Sequence, residues 1–248
     1  MADRGADPRI VKDSRGTLME NKKAIAIITA RGGSKRIPRK NIKDFCGRPI
    51  LAYSIEAALN SGEFDTVMVS TDDEEIAGIA VSCGAEVPFF RSEETSNDHA
   101  TTVDVLREVL GTYEGKGIHY EYACCIYPTA PFVTGERLKE AMEQLENTAA
   151  DSLVPVVAYS FPPQRAFVIR EQKVAYQYPE FAAMRSQDLE TIYHDCGQFY
   201  LFRTEMLKKQ NTLIGKNTIP YVMPETEVQD IDNESDWMLA EMKYKTFM

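Results

Sequence analysis

Residues Ile25–Asn41 read Ile-Ala-Ile-Ile-Thr-Ala-Arg-Gly-Gly-Ser-Lys-Arg-Ile-Pro-Arg-Lys-Asn, an apolar run that stops in a loop crowded with glycine and cations. The run Ala24–Ala30 has the continuous apolar character of a strand buried on both faces of a parallel sheet. Gly32-Gly33 follows where the chain has to turn, and glycines there let backbone N–H groups approach an anion with no Cβ in the way. Arg31, Lys35, Arg36, Arg39 and Lys40 place positive charge around the same loop, and Pro38 keeps it from winding into a helix. A glycine turn alone, or a basic run alone, is usually structural. Their coincidence at the carboxyl end of the first core strand, where open α/β sheets bind ligands, points to a polyphosphate. The loop is neither a Walker A motif, since no Gly-Lys-Ser/Thr ends it, nor Gly-x-Gly-x-x-Gly.

Strand and helix signals alternate outward from this loop. Pro49–Asn60 reads as an amphipathic helix, Thr66–Ser70 as a second buried strand, and Asp73–Cys83 as a helix ended by Gly84. Val87–Phe90 reads as a short strand, Thr101–Leu110 as a helix, Ala123–Tyr127 as a buried strand, Glu136–Glu146 as a helix and Ser152–Val157 as a strand. Such alternation predicts a parallel or mixed sheet with helices on both faces. The pattern then changes. Ala166–Ile169 and Val174–Gln177 predict a β-hairpin, a polar stretch Arg185–Asp195 follows, and the region from about 158 to 195 reads as an inserted arm. The chain returns to the core through Gly197–Phe202 and Thr218–Met223 and closes with a helix over Asn233–Phe247. Met1 to about Lys23 is polar and aperiodic and reads as a disordered leader or expression scar, with Met19 as a natural start, so that one domain is expected over 24–248.

The 248 residues are 44% hydrophobic and 27% charged, enough for one substantial core of an ordinary soluble protein. A net charge of −10 argues against nucleic acid or an anionic membrane as partner. No apolar segment approaches the roughly 20 residues that span a bilayer. Five cysteines, Cys46, Cys83, Cys124, Cys125 and Cys196, show no Cys-x-x-Cys spacing. They predict neither a disulfide framework nor a zinc site, and fit reduced thiols in a cytoplasm.

Near the end stands Gln229-Asp230-Ile231-Asp232, two carboxylates that an extended segment turns to the same side. Mg²⁺ is commonly held by one or two carboxylates plus phosphate oxygens, so the pair complements the cationic loop. The structural alternative is that Asp232 or Asn233 caps the last helix while Asp230 is solvated. Asp72-Asp73 is a rival metal pair, although Asp72 also suits a helix N-cap.

These residues carry a resemblance. Ala30-Arg31-Gly-Gly-Ser-Lys35-x-Ile-Pro-x-Lys40-Asn41 resembles the signature of the cytidylyltransferases that activate acidic sugars, the CMP-sialic acid and CMP-KDO synthetases. Phe90-Arg91 with Asp98-x-Ala100-x-Thr102 resembles their cytidine-binding segment, with Thr102 where many members have Ser. Pro128-Thr129-Ala130-Pro131-Phe132 resembles a Gln-Pro-Thr-Ser-Pro-Leu segment in which Tyr127 replaces a sugar-contacting glutamine. Asp230-Ile-Asp232-x-x-x-Asp236 resembles the metal-binding close. Tyr127, Ser160–Phe167, Arg185–Tyr200 and Cys196, standing where sialic acid enzymes usually carry Asn, resemble the branch acting on pseudaminic acid.

The resemblance implies a Rossmann-like three-layer α/β/α sandwich of the nucleotide-diphospho-sugar transferase type with a small β-rich arm. It implies CTP and a nine-carbon acidic sugar as substrates, Mg²⁺ as cofactor, and a homodimer with arms reaching across. Arg31, Lys35 and Lys40 are the expected phosphate ligands, with the amides of Gly32, Gly33 and Ser34 completing the cradle and Asp230 and Asp232 holding the metal. Ala30, Asn41, Arg91, Ala100 and Thr102 are expected to meet the cytidine, and Tyr127, Gln164, Arg165, Arg185, Gln187 and His194 the sugar. His194 either orients the sugar, acts as a base, or forms a structural pair with its neighbouring Asp195. A synthetase of the same reaction class that activates sialic, legionaminic or KDO acids, an NDP-sugar pyrophosphorylase and a noncatalytic nucleotide- or sugar-binding protein are the competing readings.

Overall fold

Ala24, Ala26, Ile28 and Ala30 pack on one side of the first core strand and Ile25 and Ile27 on the other, and all six are buried. In the computed structural model, which describes residues 10–12 and 18–248 and side chains from Lys23 onward, this alternation is the axis of a three-layer fold. The chain runs through β1 (Ile10–Lys12), β2 (Leu18–Thr29), the small pair β3 (Asp44–Phe45) and β4 (Arg48–Pro49), α1 (Ile50–Ser61), β5 (Thr66–Ser70) and α2 (Glu74–Ser82). Next come α3 (Glu93–Ser96), α4 (Thr102–Gly115), β6 (Ile118–Ile126), α5 (Gly135–Glu146) and β7 (Ser152–Ala158). The hairpin β8 (Phe167–Arg170) and β9 (Lys173–Tyr176) is followed by β10 (Tyr193–Asp195), β11 (Phe199–Arg203), α6 (Thr204–Gln210), β12 (Thr218–Val222) and α7 (Glu234–Phe247).

Eight strands form the main sheet, in the order β5, β2, β6, β11, β7, β12, with β1 beside the start of β2 and β10 beside the end of β7. β2, β5, β6, β7 and β12 run the same way, and β1, β10 and β11 oppose them. α1, α2 and α5 cover one face and α4 and α6 the other, so Cys124 and Cys125, adjacent in β6, enter different cores. Burial pushes the Cys125 thiol up to about 12, which keeps it protonated and removes it as a nucleophile. The predicted mixed, mostly parallel sheet with helices on both faces is therefore the observed architecture.

Several local expectations are corrected. The first core strand, β2, begins at Leu18, and residues 20–22 are held by a ladder to Ile118–Tyr120 of β6. Backbone pairing, which leaves no hydrophobic period to read, thus carries the sheet into the stretch expected to be a leader; residues 1–9 and 13–17 lie outside the described residues. Val87–Phe90 is not a strand: only Glu86 bridges to Met68, and Pro88 offers no N–H to continue a ladder. The strand expected over Gly197–Phe202 begins at Phe199. β10 and β11 lie end to end against β7, interrupted at Cys196–Gln198, where Gly197 takes φ +61°. Helix α6 and strand β10, at seven and three residues, are too short for periodicity to reveal.

Candidate active site

Two isoleucines explain why the cationic loop meets the acid pair. Ile37 in the loop and Ile231 between the two aspartates are each only 1% exposed, and both enter one small core with Phe45, Ile50, Tyr53, Phe132, Trp237 and Ala240. Burying an isoleucine is worth roughly 1.5–3 kcal/mol. That shared core fixes residues nearly two hundred positions apart, and the polar neighbours of each isoleucine face one another.

The loop leaves β2 over the carboxyl ends of β5, β2 and β6 and forms one wall of a cleft of about 470 Å³. Gly32 N–H donates to Asp72 Oδ1 at 2.8 Å, and a Cβ on Gly32 would stand 2.9 Å from Asp73 Oδ2, so a larger residue there would have to displace the Asp73 side chain. Asn41, buried, donates from Nδ2 to Arg31 O at 2.8 Å and braces the loop from beneath. It also lines the cleft, where it was expected to meet the cytidine.

Four of the loop's five cations face the cleft and each is met by a carboxylate. Arg31 and Lys35 both pair with Asp98, Arg31 at 3.0 Å. Arg36 pairs with Asp232 at 2.9 Å, and Lys40 donates to Ile231 O at 2.6 Å while lying 3.9 Å from Asp232. Arg39 is the exception to the expected cluster. At φ 54° it turns away and pairs with Asp73 and Glu75. This occupies Asp73, which also caps α2 by accepting from Ile76 N, so Asp72-Asp73 is spent on loop and helix.

The Arg39 guanidinium holds the Asp73 carboxyl down at about 2, against an ordinary 3.8. A depressed native pKa gives stability that is present above 3.8 and is lost as pH falls towards 2. Arg39→Ala is expected to cost about 1 kcal/mol near neutral pH, allowing for solvent screening of a partly exposed pair. Urea unfolding at pH 7 and again near pH 2 checks this: the gap between wild type and variant should close at the acid end, and a gap independent of pH would refute the assignment.

The opposite wall comes from the segment before α4. Arg91 is buried, donating to Ser70 O at 2.7 Å and to Ser70 Oγ at 3.2 Å. Asn97 Oδ1 accepts from the amides of His99 and Ala100 at 2.8 and 3.1 Å, and Thr101 with Asp104 closes a capping box at the start of α4. Ala100, Thr101 and Thr102 line the cleft, with Tyr127 and Pro128 from the end of β6 at its floor.

Asp232 lines the cleft, Asp230 does not, and the side chain of Ile231 between them is buried. Burial, reinforced by the neighbouring Asp232 charge, raises the Asp230 carboxyl above its ordinary range despite Lys40. Two carboxylates whose charges interact are of the oxygen-donor type that could hold a hard divalent cation. Among the described residues no cluster of three or more His, Cys, Asp or Glu forms a cage of protein ligands. Asp236, the third aspartate of that motif, is the capping-box acceptor for the amides of Asp232 and Asn233, at 2.9 and 3.0 Å.

Of the expected site residues, Arg31, Ser34, Lys35, Lys40, Asn41, Arg91, Ala100, Thr102, Tyr127 and Asp232 share the cleft. Ala30 is buried in the core, and Gly32 and Gly33 shape the turn behind the cleft wall. The arm residues are elsewhere. Gln164 is buried and donates to Glu190 O at 2.8 Å; Arg185 pairs with Asp188 at 2.8 Å; Arg165 and Gln187 do not line the cleft. His194 stacks near Tyr159 with ring centroids 4.7 Å apart, and its Nδ1 lies 2.9 Å from Asp195 O. Arg36, Asn97 and Asp98 were not among the expected ligands, although Arg36 lay in the quoted loop and Asp98 in the quoted cytidine segment.

The sequence pattern of the cytidylyltransferase family matches residues 25–227. This chain belongs to that family. The expected resemblance is thereby borne out, and the chain is a nucleotidyltransferase. This cytidylyltransferase is 40% identical over 224 residues to the pseudaminic acid cytidylyltransferase of Campylobacter jejuni serotype O:2, covering 90% of this chain and 97% of that protein. It is 31% identical over 224 residues to a CMP-N,N'-diacetyllegionaminic acid synthase of Legionella pneumophila, covering 88% and 94%. A solved CMP:2-keto-3-deoxy-manno-octonic acid synthetase complexed with CTP superposes with TM-score 0.66 at 17% identity, covering 92% of this cytidylyltransferase and all of that chain, a likeness of fold. Among the described residues no helix is long and apolar enough to cross a membrane.

Proposed function

We propose that this cytidylyltransferase joins CTP to pseudaminic acid, a nine-carbon acidic sugar, giving CMP-pseudaminic acid and pyrophosphate. The observation that carries the reading is the end-to-end identity to the Campylobacter jejuni pseudaminic acid cytidylyltransferase. The cleft supplies what the reaction needs. The C2 hydroxyl oxygen of the sugar attacks the α-phosphorus in line, the bond from that phosphorus to the bridging oxygen breaks, pyrophosphate leaves, and the hydroxyl proton passes to solvent. Positioning and charge stabilisation supply the rate in such a displacement. Arg31 and Lys35 exchange Asp98 for phosphate oxygens, Ser34 borders the same space, and Arg36 and Lys40 tie the acid pair to the loop. Asp230 and Asp232 would hold a Mg²⁺ together with phosphate oxygens, and such an ion would supply charge neutralisation at the α-phosphate and acidify the sugar hydroxyl.

The arm is assigned to a homodimer. Phe161 is 88% exposed and Ile169 76%, with Phe167 and Val174 also exposed, an apolar surface that a second copy covers. In that assembly Arg165, Arg185, Gln187 and His194 serve a sugar at the other copy's cleft. The cytoplasm, where CTP is available, is the assigned compartment.

Pyrophosphate release with CTP and Mg²⁺, measured separately with pseudaminic, sialic, legionaminic and KDO acids, tests the reading. Product with pseudaminic acid supports it, and product with another acid alone overturns the substrate. Tyr127→Gln is expected to change the preference among these acids about tenfold or more while altering the CTP KM about twofold at most. An unchanged acid profile would remove Tyr127 from the sugar pocket.

A further inference from the structure

We infer that Asp98 is an internal competitor for the phosphate site: CTP has to displace it from Arg31 and Lys35, and its return to them helps to expel pyrophosphate after transfer. The inference rests on the nucleotidyl-transfer role proposed above and needs no particular acid. The two oxygens of Asp98 serve different cations, Oδ1 accepting from Arg31 Nη1 at 3.0 Å and Oδ2 from Lys35 Nζ. A phosphate group presents two non-bridging oxygens to a pair of cations in the same way, so carboxylate and phosphate call on the same donors. Arg31 Nη1 also donates to Asn97 O at 3.3 Å, which joins the loop to the opposite wall at this point.

Asp98 owes its place to its own segment as well as to the loop. Asn97 Nδ2 donates to Glu94 O at 2.6 Å while its Oδ1 accepts the His99 and Ala100 amides, a brace that spans Asp98 on both sides. Behind it, Glu108 of α4 accepts from Ser92 N–H and Ser92 Oγ, both at 2.9 Å, and from Thr95 Oγ1. A competitor built into the chain in this way acts at a fixed effective concentration, whatever the level of product. Asp98 is also about half exposed, and exposed ion pairs are weak, so phosphate can take its place and lose it again.

The two ligands forfeit the same contacts to Asp98 but differ in what else holds them. CTP has its cytidine on the opposite wall, where Arg91, Ala100 and Thr102 line the cleft; pyrophosphate has the loop and the acid pair alone. The competition therefore leaves CTP bound and makes the leaving group easy to lose, a step that limits turnover in many enzymes.

Asp98→Asn tests this, because it keeps the shape of the side chain and removes its charge. Calorimetric titration with CTP and with pyrophosphate, in Mg²⁺ and without any acid, should show both binding about fivefold more tightly than to wild type. Glu93→Gln removes the same charge from an exposed position on α3 outside the cleft, and should leave both affinities within about twofold. In turnover, Asp98→Asn should lower the CTP KM and the inhibition constant of pyrophosphate together without raising kcat. Unchanged or weaker binding in Asp98→Asn, or equal tightening in Glu93→Gln, would overturn the proposal. Wild type that binds both ligands yet activates no acid would remove the sugar-activating reading and leave the titrations to decide on Asp98. Wild type that binds neither would remove the triphosphate site and the competitor with it.

Discussion

Alanine at both Asp230 and Asp232 is expected to lower turnover by about a thousandfold or more, since loss of charge stabilisation at a transferring phosphoryl group costs several kcal/mol and each 1.36 kcal/mol is tenfold. Stability should move little, for reasons that differ between the two. Asp232 gives up pairs with Arg36 and Lys40, and partly exposed pairs are worth at most about 1 kcal/mol. Asp230 carries the opposite sign: burial and the Asp232 charge raise its native pKa, so the folded state holds its proton more tightly than the unfolded chain. A raised carboxyl makes stability fall as pH climbs through its native titration range, and removing it abolishes that loss. Asp230→Ala alone should therefore be neutral or stabilising near pH 7. In the double variant the melting temperature should stay within about 4 °C of wild type, the shift that about 1 kcal/mol gives in a chain of this size. Pyrophosphate release and thermal unfolding on the same preparation check both halves. Turnover like wild type would remove the acid pair from the mechanism, and a collapse of the melting temperature would make the lost activity a folding effect.

Why the acid pair and the loop were legible in the sequence, while the arm residues were not, has a physical basis. Ile25–Ile28 announces a two-sided buried strand because both neighbouring layers demand apolar residues without a gap. Asp-Ile-Asp announces a buried isoleucine between two polar neighbours, and burial of Ile231 brings Asp232 to the cleft. Both signals are local. The placement of Gln164, Arg185 or His194 depends on how a hairpin packs over forty residues, and no period in the chain encodes it. Gln164 looks polar and available, yet is buried and donates to Glu190 O. Arg39 read as one more positive charge around the loop, because a left-handed φ at that position, which points it at Asp73, leaves no mark in composition. Asp98 was hidden for a related reason: the partner of a cation cluster is set by which loop lies across it. The expected leader gives way to strand at residues 20–22, where pairing with β6, a tertiary event, overrides a polar and aperiodic sequence.

Lys40→Met is the second substitution expected to act strongly, and it should act on stability and catalysis together. Lys40 is mostly buried, its Nζ donating to Ile231 O at 2.6 Å, and burial lowers its pKa against the pull of Asp232 and Asp230. Methionine keeps most of the methylene packing and removes the ammonium. The Ile231 carbonyl then loses that donor, and two carboxylates lose a shared cation. Leaving a buried acceptor unmatched costs about 1–3 kcal/mol, which corresponds to a fall of about 4–8 °C in melting temperature for a change near 2 kcal/mol. Turnover at saturating CTP should fall about a hundredfold, since the segment carrying the acid pair is no longer pinned to the phosphate loop. The diagnostic measurement is the combination with Asp230→Ala and Asp232→Ala. If Lys40 stabilises the fold chiefly by offsetting the two carboxylates, removing all three charges together should cost less stability than the separate losses sum to, because no unpaired charge remains. Thermal unfolding of Lys40→Met, the double alanine variant and the triple variant gives that coupling directly. Strict additivity would mean that the lysine supports the loop through Ile231 alone and that its charge is held in reserve for the triphosphate.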